Sequence, residues 1–155
     1  MNESFTIRSA TGADVATIVH HRRAMFEDMQ YANREELDVM EARFSDWVRI
    51  RIERGEYKGW FVMAGEEEIV ASAGLWLTEG PPHPTDPQRQ RGNILNVYTL
   101  PAYRRRGLAR RLMDFILDWC RANQIRTLVL YASTEGRSLY ESLGFKPTNE
   151  MRMQL

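Results

Sequence analysis

The chain has 155 residues, of which 43% are hydrophobic and 10% aromatic. This apolar content is sufficient for one packed core, so we expect a single domain over residues 1–155. Basic and acidic residues both number 21, and the zero net charge provides no overall field that would draw the protein onto nucleic acid or an anionic membrane. Any basic site must therefore be local.

No segment predicts a membrane helix, a secretion signal or a metal site. The longest apolar runs span about five residues, whereas a membrane helix needs ~20. The start Met1-Asn-Glu-Ser lacks the pattern of a signal peptide, so we expect a soluble cytoplasmic protein. The lone Cys120 excludes an internal disulfide, and the histidines show no ligand spacing, so we expect no metal.

The first half of the chain predicts a strand, two helices and a hairpin. Residues 5–8 alternate as a strand does, and Thr11 with Asp14 offers a capping box for the first helix. Asn33 caps a second helix, which we expect to stop near Gly55. The hairpin strands are predicted at 60–64 and 69–77, followed by a proline-rich surface loop at 80–87.

The second half predicts alternating strands and helices. A strand at 94–100 precedes a helix at 108–123, and the continuous apolar run at 127–131 indicates a buried strand. A short helix follows at 135–143, and the tail, 145–155, is expected to add one or two edge strands. The long helix is predicted to bury an apolar stripe of Leu108, Leu112, Phe115 and Trp119.

The most informative segment is the arginine-rich turn at residues 101–113, which joins a predicted strand to a predicted helix. Such a turn directs free backbone N–H groups and the positive end of a helix dipole at one point. Phosphate groups bind at points of this kind. An ordinary solvated basic surface is the alternative.

Two motifs together resemble the GNAT superfamily of acyl-CoA-dependent N-acetyltransferases. Arg104, Gly107 and Ala109 meet the pattern Gln/Arg-x-x-Gly-x-Gly/Ala, and residues 139–145 meet the pattern Leu-Tyr-x-x-Leu-Gly-Phe. The resemblance implies an α/β fold with a mixed, mostly antiparallel sheet of six or seven strands. It also implies helices on both faces of the sheet and a splayed cofactor slot.

The resemblance further implies that acetyl-CoA is the acyl donor. Its pyrophosphate would lie on backbone N–H groups of the turn, and its pantetheine arm would lie along the strand, where an N–H near Val97 or Tyr98 would face the thioester oxygen. In this family Asn often holds the cofactor where this chain has Ser133, so that contact is left open. The alternative is that Ser133 or Thr134 caps the short helix. The residues assigned to the cofactor are Val97, Tyr98, Thr99, Arg104, Arg105, Arg106, Gly107, Leu108, Ala109, Arg110 and Ser133.

Tyr140 is the predicted catalytic residue, because the family uses a tyrosine at this place as a general acid. A phenol with a pKa of ~10 can protonate a leaving thiolate with a pKa of ~8.5. The alternative is a buried ring with a solvated hydroxyl. Glu79 is the candidate base for the attacking amine, and the weaker candidates are Glu27, Asp28, His20, His21 and His83.

These features predict an N-acetyltransferase that transfers acetyl from acetyl-CoA directly, in a ternary complex, to a primary amine of a small molecule or peptide. The alternative is a non-catalytic acyl-CoA-binding or sensing domain, which would need the turn but no leaving-group acid. A nucleic-acid patch is disfavoured by the zero net charge. We expect neither nucleic-acid nor membrane partners, and family analogy suggests a homodimer.

Overall fold

The computed structural model describes residues 3–155. The helices are α1 (Val15–Asp28), α2 (Arg34–Glu53), α3 (Leu108–Ala122) and α4 (Arg137–Ser142), with 3-10 turns at Gly12–Asp14 and Pro101–Tyr103. The strands are β1 (Phe5–Ser9), β2 (Tyr57–Ala64), β3 (Glu68–Glu79), β4 (Gln90–Thr99) and β5 (Leu128–Leu130). No helix within the described range is long and apolar enough to cross a membrane.

Local capping residues explain where α2 and the 3-10 turn that leads into α1 begin. The Thr11 hydroxyl accepts from the backbone N–H of Ala13, and the Asp14 carboxylate accepts from the backbone N–H of Thr11. At the start of α2, the side chains of Asn33 and Glu36 each accept from the other residue's backbone N–H at 2.9 Å. These reciprocal bonds satisfy donors that a helix start leaves free, so both predicted capping boxes are confirmed.

The five strands form one mixed sheet in the order β1-β2-β3-β4-β5. The first three pairs are antiparallel, and β4 pairs with β5 in parallel. Helices α1 and α2 pack against one face around Phe44, Val48 and Phe61, whereas α3 and α4 pack against the other around Leu112 and Ile116. A mostly antiparallel sheet with helices on both faces is therefore confirmed.

Strands β4 and β5 separate after a short contact. They pair only between residues 92–94 and 128–130, although β4 continues to Thr99. The backbone of β4 beyond Ile94 therefore lacks a neighbour on its β5 side, and a slot opens there. The predicted separation of the two strands is therefore confirmed.

The strand count differs from the prediction of six or seven: the described residues contain five strands. The predicted tail strands are absent, because residues 146–155 are all exposed and none of their backbone groups bonds to another strand. Pro147 also lacks a donor. The predicted buried strand at 127–131 is a three-residue edge strand, with Val129 45% exposed.

Candidate active site

The turn before α3 presents a row of unpaired backbone donors. Arg105 and Gly107 have φ values of +60° and +76°, and this left-handed geometry redirects the chain into the helix. The N–H of Arg111 is the first to bond into α3, at 3.0 Å to the Gly107 carbonyl. The N–H groups of residues 105–110 have no acceptor within residues 3–155. They are the donors that the sequence predicts for a phosphate.

Gly107 leaves the front of this turn open. A Cβ built at this position would meet no atom within 4 Å, so no protein group occupies the space in front of the glycine. The left-handed φ disfavours every residue with a side chain. The backbone therefore favours glycine here, and glycine also leaves room for a ligand.

The arginine side chains of the turn are mostly engaged with the protein. Arg104 pairs with Asp28 of α1, and its Nε donates to the Thr99 carbonyl at 3.0 Å. Arg106 pairs with Glu3 at 2.6 Å. The turn would therefore bind a ligand mainly through its backbone N–H groups, because the charges of Arg104 and Arg106 are already paired.

One edge of β4 faces the slot. The N–H of Leu100 donates to the Val70 carbonyl at 2.9 Å and so faces β3. Because successive residues of an antiparallel strand direct their backbone groups to opposite edges, those of Val97 and Thr99 face away from β3, into the slot. Tyr98 directs its backbone to β3. Val97 and Tyr98 are the residues whose N–H the sequence predicts to face a thioester oxygen. This geometry favours Val97 for that contact.

A bulge in β4 precedes these residues. Gly74 pairs with Leu95 and Ser72 pairs with Tyr98, so β4 has one more residue than β3 over this stretch. Asn96 lies in the extra length with φ +57° and is 4% exposed. Such a bulge shifts the alternation of the strand by one residue and thus determines which N–H groups face the slot.

Tyr140 lies in α4, and Ser133 precedes that helix. Tyr140 is 8% exposed and belongs to the apolar cluster on the α3 face of the sheet, against which Val97 and Leu130 also pack. Its hydroxyl bonds to no residue in the described range, and burial raises its pKa. Ser133 Oγ accepts from the N–H of Gly136 at 3.1 Å in the turn before α4, whose N-cap is Gly136 and not Ser133.

The structure does not bring Glu79 to the slot. Glu79 pairs with Gln90 at the far end of β4, which places it roughly 20 Å from Val97 at ~3.3 Å per residue. Its carboxylate pairs with Arg89 at 3.2 Å. It lines a cavity of about 380 Å³ with Arg51, Arg54, Trp76 and Gln90.

Residues 18–145 match the acetyltransferase (GNAT) family. The chain belongs to the GNAT acetyltransferase family. A GCN5-related N-acetyltransferase from Ralstonia eutropha JMP134 has a TM-score of 0.92 and 34% identity to it, over 98% of this chain and 99% of that one. No curated protein gives a significant match to the sequence.

Two more distant structures share the GNAT fold. A predicted acetyltransferase from Clostridium acetobutylicum, solved with acetyl-CoA, has a TM-score of 0.89 and 22% identity, over 98% of this chain and 96% of that one. Glucosamine-6-phosphate N-acetyltransferase from Arabidopsis thaliana has a TM-score of 0.67 and 19% identity, over 99% of each chain. GNAT proteins use acyl-CoA. The open turn, its free N–H groups and the slot beside β4 fit such a ligand.

Sequence reasoning missed the bulge in β4 and the contact between Asn96 and Arg22 that accompanies it. Asn96 lies in the predicted strand 94–100, but nothing in a strand pattern indicates a left-handed residue. Arg22 Nη1 donates to Asn96 Oδ1 at 2.7 Å from a position 74 residues earlier in the chain. The one available signal was an asparagine inside an apolar strand, because Asn tolerates positive φ better than most residues.

Four of the five weaker candidate bases are engaged in protein contacts, and the fifth, His20, is exposed on α1. Glu27 pairs with Arg23 and Asp28 pairs with Arg104. His83 bonds to Thr85 in the proline-rich loop. His21 is 3% exposed and shares a hydrogen bond of 2.7 Å with Ser72 Oγ, on the face of the sheet that α1 covers.

Because His21 is buried, we expect the free energy of unfolding to fall in mild acid. Burial, with a smaller effect of nearby His20, lowers the pKa of His21 from 6.5 to about 4. Between these values the unfolded chain binds a proton that the folded chain does not, so stability decreases as pH falls through this window. At ~1.4 kcal/mol per pH unit, the loss reaches at most about 3 kcal/mol.

Urea unfolding at pH 7 and pH 4.5 measures this effect. We expect His21→Gln to lose less stability between the two pH values than the wild type, and the control His20→Gln to behave as the wild type. An equal acid loss in His21→Gln and the wild type would show that another group is responsible.

Proposed function

We propose that this protein transfers the acetyl group of acetyl-CoA directly to a primary amine of a small molecule or peptide. The observation that carries the proposal is the unpaired edge of β4 beyond Ile94, which the Val97 N–H faces, with the buried Tyr140 in the apolar cluster against which Val97 packs. A free row of N–H groups lies at the start of α3. A non-catalytic acyl-CoA-binding domain would not need Tyr140.

The turn and β4 are proposed to bind the two halves of the donor. The N–H groups of residues 105–110 would hold the pyrophosphate, aided by the α3 dipole. The backbone groups of Val97 and Thr99 would hold the pantetheine arm as a neighbouring strand would. The N–H groups of the turn are unpaired within the described residues, whereas the Thr99 carbonyl accepts from Arg104 Nε, so the arm would use the Val97 groups and the Thr99 N–H.

Val97 and Tyr140 are proposed to act on the reacting thioester. As the amine nitrogen bonds to the carbonyl carbon, negative charge develops on the oxygen, and the Val97 N–H stabilises it. As the carbon–sulfur bond breaks, the Tyr140 hydroxyl donates its proton to sulfur and recovers one from solvent. The products are the amide and free CoA.

The amine's own proton is proposed to leave to water. The candidate base Glu79 would have to act over roughly 20 Å. We therefore assign no side chain to this proton.

Thiol release from acetyl-CoA, with a panel of amines, tests the proposal. The panel comprises a polyamine, an amino sugar, an aminoglycoside, free amino acids and a peptide with a free N-terminus. We expect acetyl-CoA to raise Tm and at least one amine to accelerate thiol release. A raised Tm without thiol release from any amine would support the binding domain instead. No rise in Tm would refute both.

A further inference from the structure

The left-handed residue in β4 is held by side chains from distant elements. Left-handed backbone raises the free energy of a non-glycine residue by roughly 1 kcal/mol, although the penalty is smaller for Asn than for most residues. Asn96 Oδ1 accepts from Arg22 Nη1 of α1 at 2.7 Å, and Asn96 Nδ2 donates to Tyr57 Oη of β2 at 3.1 Å. Both ends of the Asn96 amide are thus occupied, which offsets the cost of the conformation.

The neighbours of Asn96 are themselves fixed. A Cβ at Gly74 would lie 2.1 Å from Tyr57 Oη, so the hydroxyl reaches Asn96 only because residue 74 is glycine. The Arg22 guanidinium lies 4.9 Å from the ring of Phe26 and 4.6 Å from that of Phe44. The two rings restrict the motion of the guanidinium, so it has little access to another hydrogen-bond partner.

Arg22 is poorly explained by stability alone. It forms no ion pair within the described residues, and its Nε is buried without a hydrogen-bond partner. A half-buried charge without a carboxylate costs free energy, and the contacts with two rings and one amide offset only part of that cost. The hydrogen bond to Asn96 is what the buried guanidinium provides in return for this loss of stability.

We propose that Arg22 is a positioning residue, which holds Asn96 left-handed and thereby directs the Val97 N–H into the slot. The catalytic part of this inference rests on the proposed function, whereas the geometric part concerns the free protein. Without the bulge the alternation of β4 would shift by one residue, and a different N–H would face the slot.

Arg51 provides a matched control for Arg22. Its guanidinium lies 4.1 Å from the ring of Trp47, and its Nε is also buried without a partner. It too lacks an ion pair among the described residues, and its Nη1 donates to the Trp47 carbonyl. Arg51 therefore matches Arg22 in packing but does not bond to β4.

Amide NMR of the ligand-free protein tests the geometric part. In Arg22→Met we expect large shifts and faster hydrogen exchange at the amides of residues 95–98, whereas Arg51→Met should leave these four amides as in the wild type. Unchanged amides at 95–98 in a folded Arg22→Met would overturn the proposal. Arg22→Lys, which keeps a donor, should restore part of the wild-type pattern. If Arg22→Met does not fold, Arg22→Leu, which also lacks a donor, takes its place with the same expected and refuting results.

Kinetics test the catalytic part, with the panel amine that gives the fastest thiol release. Loss of a whole oxyanion donor costs ~100-fold or more in kcat, so a misdirected donor is expected to cost about 10-fold. The KM for acetyl-CoA should stay within about 2-fold, because the phosphate turn is untouched. Arg51→Met should retain the wild-type kcat.

A double variant tests whether Arg22 acts through Asn96. Glycine adopts positive φ without support, so Arg22→Met should lower kcat no further in an Asn96→Gly background. A full 10-fold loss in that background would overturn the proposed route. If the wild type releases no thiol with any amine, the proposed function fails, and the amide measurements still decide the geometric inference.

Discussion

Tyr140→Phe is expected to lower kcat by about 100-fold or more, the usual range for loss of a general acid. The variant removes one hydroxyl that bonds to no residue in the described range, so folding should be nearly unaffected. The KM for acetyl-CoA should change little. Because burial raises the pKa of Tyr140, the wild-type acid stays protonated through the neutral range, and its activity should not fall near pH 8 from loss of this proton.

Tyr131→Phe is the control for this variant. Tyr131 follows β5, is 71% exposed, and its hydroxyl donates to Glu150 at 3.0 Å. The variant loses the same atom from an exposed tyrosine outside the apolar cluster, and we expect wild-type kcat. Equal kcat in Tyr140→Phe and Tyr131→Phe would rule out Tyr140 as the acid.

Gly107→Ala is expected to raise the Kd for acetyl-CoA by about 10-fold or more. The methyl group would project into the open space before the N–H row, and the left-handed φ of +76° would be strained. Calorimetric titration with acetyl-CoA measures the loss. S-acetylpantetheine, which lacks the pyrophosphate, should bind the variant and the wild type equally well.

Gly65→Ala separates strain from ligand binding. Gly65 lies in the β2–β3 turn with φ +66°, and a Cβ there also meets nothing within 4 Å. Both variants should lose about 1 kcal/mol of stability from the same backbone strain. Only Gly107→Ala should lose affinity for acetyl-CoA. Equal Kd values in the two variants would mean that the turn does not bind the pyrophosphate.

Features set by neighbouring residues could be predicted from the sequence. The capping boxes at Thr11 and Asn33 and the strand–turn–helix around Gly107 depend on residues within a few positions of one another. Periodicity also placed α3 to within one residue at its end. The slot followed from the family resemblance, not from periodicity.

The orientation of α3 could be predicted only in part. Leu108 and Leu112 are buried as expected, but Phe115 is 41% exposed. The helix instead buries Met113, Ile116 and Cys120, so its buried face is rotated from the predicted stripe. Apolar residues occupy more than one side of α3, and only the sheet decides which of them form the centre of the contact.

The site was predictable where it uses backbone and not where it uses long-range contacts. The phosphate turn follows from local sequence, whereas the bulge depends on Arg22 and Tyr57, which are far from Asn96 in the chain. Glu79 was predicted from its place beside a loop, and the strand register then put it at the other end of β4. Sequence alone does not measure distance along a strand.

The close fit between Gly74 and Tyr57 constrains which substitutions this chain can accept at either position. Any side chain at position 74 would collide with the Tyr57 hydroxyl, and a smaller residue at 57 would leave Asn96 with one partner fewer. Neutral drift at one of these positions is therefore blocked unless another changes with it. Among relatives that keep the bulge, we expect four positions to covary: Gly74, Tyr57, Asn96 and Arg22.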